Sequence, residues 1–351
     1  MMGSVSVVVV NWNRRALLQE CLESLARQTL PPRELIVVDN GSTDGSVELV
    51  RDRFPEAQLV ALPRNTGFAA GNNCGLRQAR GEYVALLNND AVADPDWLSR
   101  LVQAIDAHPA VGCCASKMLL YHRRGVINST GILYSTVGTA VDRGWMCHDG
   151  PRFDEPDYPI GACGGAALYR RSMLEEIGLF DEDFSPAYCE DVDLSLRAQL
   201  RGYRCLYVPS AVVYHRVGAT LGHGSFRSVY LGARNQWYVW VKNIPAGLLV
   251  KHSPALVLYT VVQLGVHGLK GDLAPYVLGS VAACAKLPGM LRKRRQIQRR
   301  RTVTAQQLER MMVRRPLRAE LLRLARGTVE RLSRCGAQRA ARTLEDHRAG
   351  T

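Results

Sequence analysis

Carboxylates, amides and one histidine stand at the ends of apolar runs in this chain, where a fold can gather them around a ligand. The stretch "ALLNND", residues 85–90, is apolar until it stops at Asn88, Asn89 and Asp90. Such a strand end can hold a divalent cation through oxygen ligands, or can simply cap a turn. Only Asp90 is charged, and Asn88 stands where a second carboxylate would strengthen a metal site. Asp39 closes "ELIVVD" ahead of the tight turn "NGSTDG". Its carboxylate can accept hydrogen bonds from a base N–H or a ribose hydroxyl, or from its own turn. Glu190, Asp191 and Asp193 crowd into "CEDVDL" at the start of a helical pattern. Negative charge is favourable there by about 0.3–1 kcal/mol per residue. A carboxylate in that place can also take the proton of an attacking hydroxyl. His215 ends "VPSAVVYH"; alone it reads as a packed or hydrogen-bonded histidine, although a neutral imidazole can ligate Mn2+.

The elements that must position these groups follow from hydrophobic periodicity. "VSVVVV" followed by "NWNRR" predicts a buried strand ending in a loop. "ALLQECLESLARQ" places Leu18, Leu22 and Leu25 on one helical face. The strands "ELIVVD", "AQLVALPRN" and "EYVALLNND" then alternate with helical segments such as "GFAAGNNCGLRQAR". Alternation of this kind predicts an α/β fold with a doubly wound, mostly parallel sheet. Ligands bind such sheets beyond the carboxyl ends of the strands, so Asn11, Asp39, Asn65 and Asp90 should converge on one crevice. "NWNRRAL" occupies the place of a G-x-G-x-x-G turn, which excludes an ordinary dinucleotide-binding dehydrogenase.

Residues 121–158 carry no clear period and predict loops and short strands around a second substrate pocket. Order returns at "GACGGAALYRRSMLEEIGLFDEDF", a Gly-rich approach, a short strand and a helix. "EDVDLSLRAQLRGY" is an amphipathic helix with Val192, Leu196 and Leu200 on one face, which Asp193 is expected to cap. "RCLYVPSAVVYH" predicts strand, turn, strand.

The 351 residues carry a net charge of +13, and its distribution is uneven. Residues 292–351 hold 18 Lys and Arg against 5 Asp and Glu, which leaves residues 1–291 with 27 of each sign. A basic tail can meet nucleic acid or an anionic membrane face, or be a solvated helical surface. No helix-turn-helix, zinc finger or RNA-binding aromatic signature is present, so no nucleic acid partner is expected. Ten cysteines without a C-x-x-C pair argue against zinc and for reduced, cytoplasmic thiols. The N-terminus lacks a basic n-region and reads as a strand, not a signal peptide.

Beyond Pro245 the composition changes. Residues 253–269 contain no Asp, Glu, Lys or Arg, and "LAPYVLGSVAACA" follows closely. The first run is at the lower edge of spanning length, about 17 residues. Together they predict a hydrophobic helical hairpin lying in or dipping into one leaflet. "LRKRRQIQRRR" would then sit against anionic headgroups, at about 1 kcal/mol per basic side chain. The alternative is a helical bundle packed on the body of the protein. The predicted organisation is a catalytic body over residues 1–245, membrane-associating helices over 246–291 and a basic helical tail over 292–351.

Seven motifs occur in one order: "VVVVNWN", "VVDNGSTDGS", "RNTGFAAGNN", "LLNND", "GACGGAALYRR", "FDEDFSPAYCEDVDLSLRAQLRGY" and "VPSAVVYHRVG". Over roughly residues 1–245 the chain resembles the inverting glycosyltransferases of family 2, which have the A-type nucleotide-sugar fold. It looks most like bacterial rhamnosyltransferases of cell-surface polysaccharide synthesis. The resemblance implies a dTDP- or UDP-linked donor and a lipid-linked saccharide acceptor. It places the enzyme at the cytoplasmic face of the cell membrane, against an anionic surface.

It also implies roles. Asn11, Asp39, Asn65 and Gly67 would line the nucleotide pocket. Asp90, His215 and Asn88 would hold Mn2+ or Mg2+, with Asn88 replacing the family's usual first acid by an uncharged amide. Asp191 would be the general base, with Glu190 as the alternate or as an acceptor contact. Arg234 would add a cationic contact to the donor diphosphate, or pack beside Trp237 and Trp240. The rival readings are a processive polysaccharide synthase, for which the usual Q-x-x-R-W is lacking, and a non-catalytic protein that binds nucleotide-sugars.

Overall fold

The computed structural model describes residues 3–217 and 224–313. The first half alternates as expected: β1 (Val5–Asn11), α1 (Arg15–Ala26), β2 (Glu34–Asp39), α2 (Ser46–Arg53), β3 (Gln58–Ala61), α3 (Phe68–Gln78) and β4 (Tyr83–Leu87). These four strands are mutually parallel in the order β3-β2-β1-β4. Val7, Val8 and Val9 are fully buried, so successive side chains fill both faces of the sheet. That double burial is why β1 reads as a continuous apolar run rather than an alternating one. Asn11 lies directly opposite Asp39 in register, which sets two predicted site residues side by side.

The chain then leaves the simple alternation. β5 (Ala91–Ala93), α4 (Trp97–Asp106), β6 (Val111–Leu120) and β7 (Arg123–Ser129) come next. The short strands β8 (Ile132–Tyr134) and β9 (Ala140–Asp142) form a separate hairpin. β10 (Ala166–Arg170), α5 (Arg171–Ile177), α6 (Glu190–Leu200) and β11 (Arg204–His215) complete the sheet region. β10 inserts antiparallel between β4 and β6, and β11 runs parallel to β6 and antiparallel to β5. The nine-stranded sheet is therefore parallel in its first half and mixed in its second.

The predicted strand, turn, strand over residues 204–215 is one strand with a bulge. Its register against β6 shifts between Val208 and Val212. Pro209 sits in that gap; without an N–H it cannot continue the ladder, and the strand bends instead of reversing. The bend lets the end of β11 pair with β5, with His215 opposite Ala91. The Arg216 N–H also donates to the Asp90 carbonyl at 3.0 Å. The bulge thus brings His215 to Asp90.

Among the described residues, five helices follow: α7 (Phe226–Asn243), α8 (Ala246–Lys270), α9 (Leu273–Ala285), α10 (Leu287–Arg300) and α11 (Ala305–Met311). α8 and α9 form the expected hairpin. Among the described residues, α8 alone is long and apolar enough to cross a membrane, by length and composition. α10 continues across the predicted boundary at residue 291 and buries Met290 against the body. Lys293 bonds Asp181 at 2.5 Å and Asp183 at 2.7 Å, and Arg294 donates to the Val241 carbonyl at 2.7 Å. These two basic side chains face inward rather than toward headgroups. Asp181 and Asp183, on the loop before α6, capture Lys293, while backbone carbonyls at the end of α7 capture Arg294. The basic tail beyond Val313 lies outside the described residues.

Asp193 is not a helix cap. It is fully buried and accepts from Arg197 Nε at 2.9 Å, Lys242 Nζ at 2.8 Å and Asn243 Nδ2 at 2.8 Å. Lys242 also reaches Asp181 at 2.6 Å. Burial disfavours both carboxylates, but the Lys242 ammonium outweighs it, aided by Arg197 at Asp193 and Lys293 at Asp181, and holds them below the usual range. The network ties α6 to α7.

Candidate active site

The strand ends converge as periodicity predicted. Asn11 Nδ2 donates to Asp39 Oδ1 at 3.2 Å, and Asn89 Nδ2 donates to Asn11 Oδ1 at 2.7 Å. Asp39 Oδ2 accepts from the Ser42 N–H at 2.9 Å, so its carboxylate does cap its own turn. Asn40, which periodicity did not single out, carries the stitching onward. It bonds Asn65 at 3.2 Å and the Gly67 carbonyl at 3.1 Å. Asn65 in turn accepts from the Gly67 N–H at 2.8 Å. Gly67 has a φ of +90°, and a Cβ there would lie 2.5 Å from Ser185 Oγ. Only glycine fits between this crevice and the loop before α6.

The predicted metal corner assembles. His215 Nε2 lies 3.1 Å from Asp90 Oδ1 and 3.5 Å from Asn88 Nδ2. His215 Nδ1 is 2.7 Å from Asn128 Oδ1, a partner on β7. With the Nδ1 proton donated to that carbonyl oxygen, Nε2 keeps its lone pair toward Asp90. Two acceptors then face each other, an arrangement a cation relieves, and Asn128 is the type of partner that orients a ligating imidazole. Among the described residues no group of three or more His, Cys, Asp or Glu could hold a metal unaided. The residues present fit a divalent cation that takes its remaining oxygen ligands from a bound diphosphate.

Asp191, at the start of α6, follows two residues in left-handed backbone, Tyr188 at φ 80° and Cys189 at φ 66°. Such non-glycine conformations cost about 1–3 kcal/mol each and persist only when their surroundings fix them. Asn235 does the fixing: its Nδ2 reaches the carbonyls of Phe184 at 3.0 Å, Ala187 at 3.0 Å and Tyr188 at 2.7 Å. Arg234 Nη2 adds a bond to the Ser185 carbonyl at 2.7 Å. Arg234 is therefore spent on this loop, between the Tyr230 and Tyr238 rings. The expected packing beside Trp237 and Trp240 gives way to these tyrosines. Asn235 was missed because an amide inside an amphipathic helix gives no sign of what its turn will face.

Asp191 accepts from the Gly164 N–H at 3.0 Å and the Val192 N–H at 2.8 Å. Burial nevertheless pushes its carboxyl above the usual range. Glu190 is only 6% exposed and its Oε2 has no hydrogen-bond partner. Burial and the adjacent Asp191 push its carboxyl well up. Both line a cavity of about 570 Å3 together with Asn88 and Gly165. The same cavity holds Asp142, which sequence reasoning missed. Burial, with like charge from Asp191, pushes Asp142 up to about 6 despite the Ser129 hydroxyl and His215. It lies in the unpatterned segment, where no period marks an inward-facing acid.

Residues 6–178 match the model of glycosyl transferase family 2. Asp191 and His215 lie beyond that span and rest on their own geometry. The chain is 31% identical over 234 residues to an uncharacterized protein, y4gI, of Sinorhizobium fredii, covering 62% of this chain and 25% of that protein. It is 30% identical over 226 residues to the O-antigen biosynthesis protein RfbC of Myxococcus xanthus, covering 62% and 17%. The chain thus spans a quarter or less of these two relatives. It is 28% identical over 239 residues to N-acetylglucosaminyl-diphospho-decaprenol L-rhamnosyltransferase of Mycobacterium tuberculosis, covering 62% and 77%. Among solved structures, GalNAc-T7 with UDP, GalNAc and Mn2+ aligns with a TM-score of 0.55 at 16% identity, over 72% of this chain and 55% of that one. A mannosyltransferase of Pyrobaculum calidifontis with GDP-Man and Mn2+ aligns with a TM-score of 0.51 at 22% identity, over 85% of each. The likeness to these two shows the fold. Residues 6–178 are therefore similar to glycosyl transferase family 2, and the fold is like that of proteins solved with UDP or GDP-Man and Mn2+.

Proposed function

We propose that this protein is an inverting glycosyltransferase that moves one sugar from a nucleoside-diphosphate donor to a lipid-linked saccharide. The observation that carries this reading is His215 Nε2 facing Asp90 Oδ1 at 3.1 Å, beside a cavity that contains Asp191. Asn11, Asp39, Asn65 and Gly67 bind the nucleotide in the crevice they frame. Asp90, His215 and Asn88 would hold Mn2+ or Mg2+. A divalent cation bound there supplies neutralisation of charge on the departing diphosphate. Asp191 takes the proton of the acceptor hydroxyl as that oxygen attacks the anomeric carbon from the face opposite the leaving group. Its raised carboxyl makes it a stronger base than a solvated aspartate. Arg234 acts through the loop it holds, which presents Glu190 and Asp191 to the cavity.

Rhamnose from a dTDP donor is the transferred sugar we favour, on the strength of the mycobacterial relative's activity. That relative also supports an acceptor carried on a polyprenyl diphosphate. We place the protein at the cytoplasmic face of the membrane; the attachment itself has the support of α8, where Val257, Leu258, Val261 and Leu269 stay exposed. Confining enzyme and acceptor to one surface raises their effective concentration.

The test is incubation of purified protein with dTDP-rhamnose, an N-acetylglucosaminyl-diphospho-lipid and Mn2+, with products read by mass. Addition of a single deoxyhexose, abolished by chelator, is expected. A ladder of products would indicate a processive synthase. Donor binding without turnover would indicate a non-catalytic protein.

A further inference from the structure

The cavity beside Asp191 has a chemical character that the transfer reaction alone does not require. Its walls carry Asp142, Glu190 and Asp191 but, among the described residues, no lysine, arginine or histidine. Carboxylates accept hydrogen bonds and repel phosphate, so these walls suit a neutral ligand rich in hydroxyl donors. One acceptor is already waiting: Glu190 Oε2, on a side chain 94% buried, has no partner. An unmet buried acceptor is costly unless a ligand meets it.

Asp142 stands on β9, away from the helix that carries Glu190 and Asp191. It lies close enough to Asp191 for that like charge to act on it. The neighbouring Arg143 turns away, to Thr130 Oγ1 at 2.9 Å and Asp157 at 2.9 Å. Asp142 is thus left in the cavity without a cation.

We infer that Asp142 is a substrate-binding residue that positions the acceptor, its carboxylate accepting a hydrogen bond from a hydroxyl of the acceptor sugar beside the one that attacks. Glu190 takes a second hydroxyl, and the two grips present the intervening oxygen to Asp191. Asp142 therefore helps to select which position on the acceptor is glycosylated. The inference rests on the glycosyl-transfer reading above.

The test uses full-length wild type, D142N and S129A with dTDP-rhamnose and farnesyl-diphospho-N-acetylglucosamine. D142N is expected to raise acceptor KM roughly tenfold or more, the loss typical of one hydrogen bond to a charged group. Its kcat at saturating acceptor should fall less than KM rises, with donor KM and dTDP affinity maintained and the melting temperature not lowered. S129A keeps the carboxylate and should follow wild type. An unchanged acceptor KM in D142N overturns the inference, and so does an equal effect in S129A or a parallel loss of dTDP affinity. If wild type binds neither dTDP nor UDP, the glycosyl-transfer reading fails instead. If it binds nucleotide but does not transfer to this probe, the comparison is read by NMR on methyl N-acetyl-β-glucosaminide. Weaker binding to D142N then supports the inference, while equal binding, or none to wild type, overturns it.

Discussion

Asp142 gives the protein a pH-dependent instability that its replacement should remove. Burial and the charge of Asp191 push its carboxyl from 3.8 up to about 6. The folded protein therefore binds this proton more tightly than the unfolded chain does. Stability contributed at low pH is lost as pH rises between those two values, and stays lost above them. A gap of roughly two pH units, at about 1.4 kcal/mol each, sets a ceiling of about 3 kcal/mol. Asparagine cannot ionise, so D142N escapes this loss. The stability of D142N relative to wild type should thus grow by about 1–3 kcal/mol from pH 4 to pH 7.5. Urea unfolding of both proteins at a series of pH values, with chelator and without nucleotide, measures that difference at constant m-value. A difference that stays flat within about 0.5 kcal/mol, or shrinks as pH rises, would refute the reasoning.

Three further outcomes follow from other contacts. Lys242→Met leaves Asp181 and Asp193 buried without their shared cation, and should cost about 3–5 kcal/mol in urea unfolding at neutral pH. Asn128→Ala removes the partner of His215 Nδ1; in the presence of dTDP, Mn2+ affinity should fall about tenfold or more, with dTDP binding in chelator unchanged. Glutamate at both Val257 and Val261, which are exposed on α8, should weaken sedimentation with anionic vesicles while leaving the melting temperature in place.

The strands that build the nucleotide crevice were legible because their chemistry is local. Val7 to Val9 are buried on both faces, and β1 and β2 end side by side in Asn11 and Asp39. The reversal of β10 was not legible, since periodicity marks a strand without giving its direction. Pro209 misled in the opposite sense, suggesting a turn where a bulge suffices because the neighbouring strand continues beside it. Asp193 looked like a helix cap from its position in the first turn, whereas Lys242, nearly fifty residues away in sequence, makes it a core ion. Lys293 and Arg294 were read as membrane contacts for the same reason. Asn128 and Asn235 gave no signal, because an amide acquires its role only from the carbonyls and rings that tertiary structure sets against it. The candidate site residues of the metal corner did come together, whereas Arg234 was drawn into holding the loop before α6 and Asp39 also caps its own turn.

The central claim is that Asp191 takes the acceptor proton. Asp191→Asn keeps the size of the side chain and can still accept from one of the two N–H groups, Gly164 or Val192, that bond its two carboxylate oxygens. Its transfer rate at saturating donor and acceptor is the most direct measurement. With dTDP-rhamnose affinity unchanged, we expect that rate to fall by about 10²–10⁴, the range for loss of a positioned general base. Transfer by Asp191→Asn within about threefold of wild type would contradict the account.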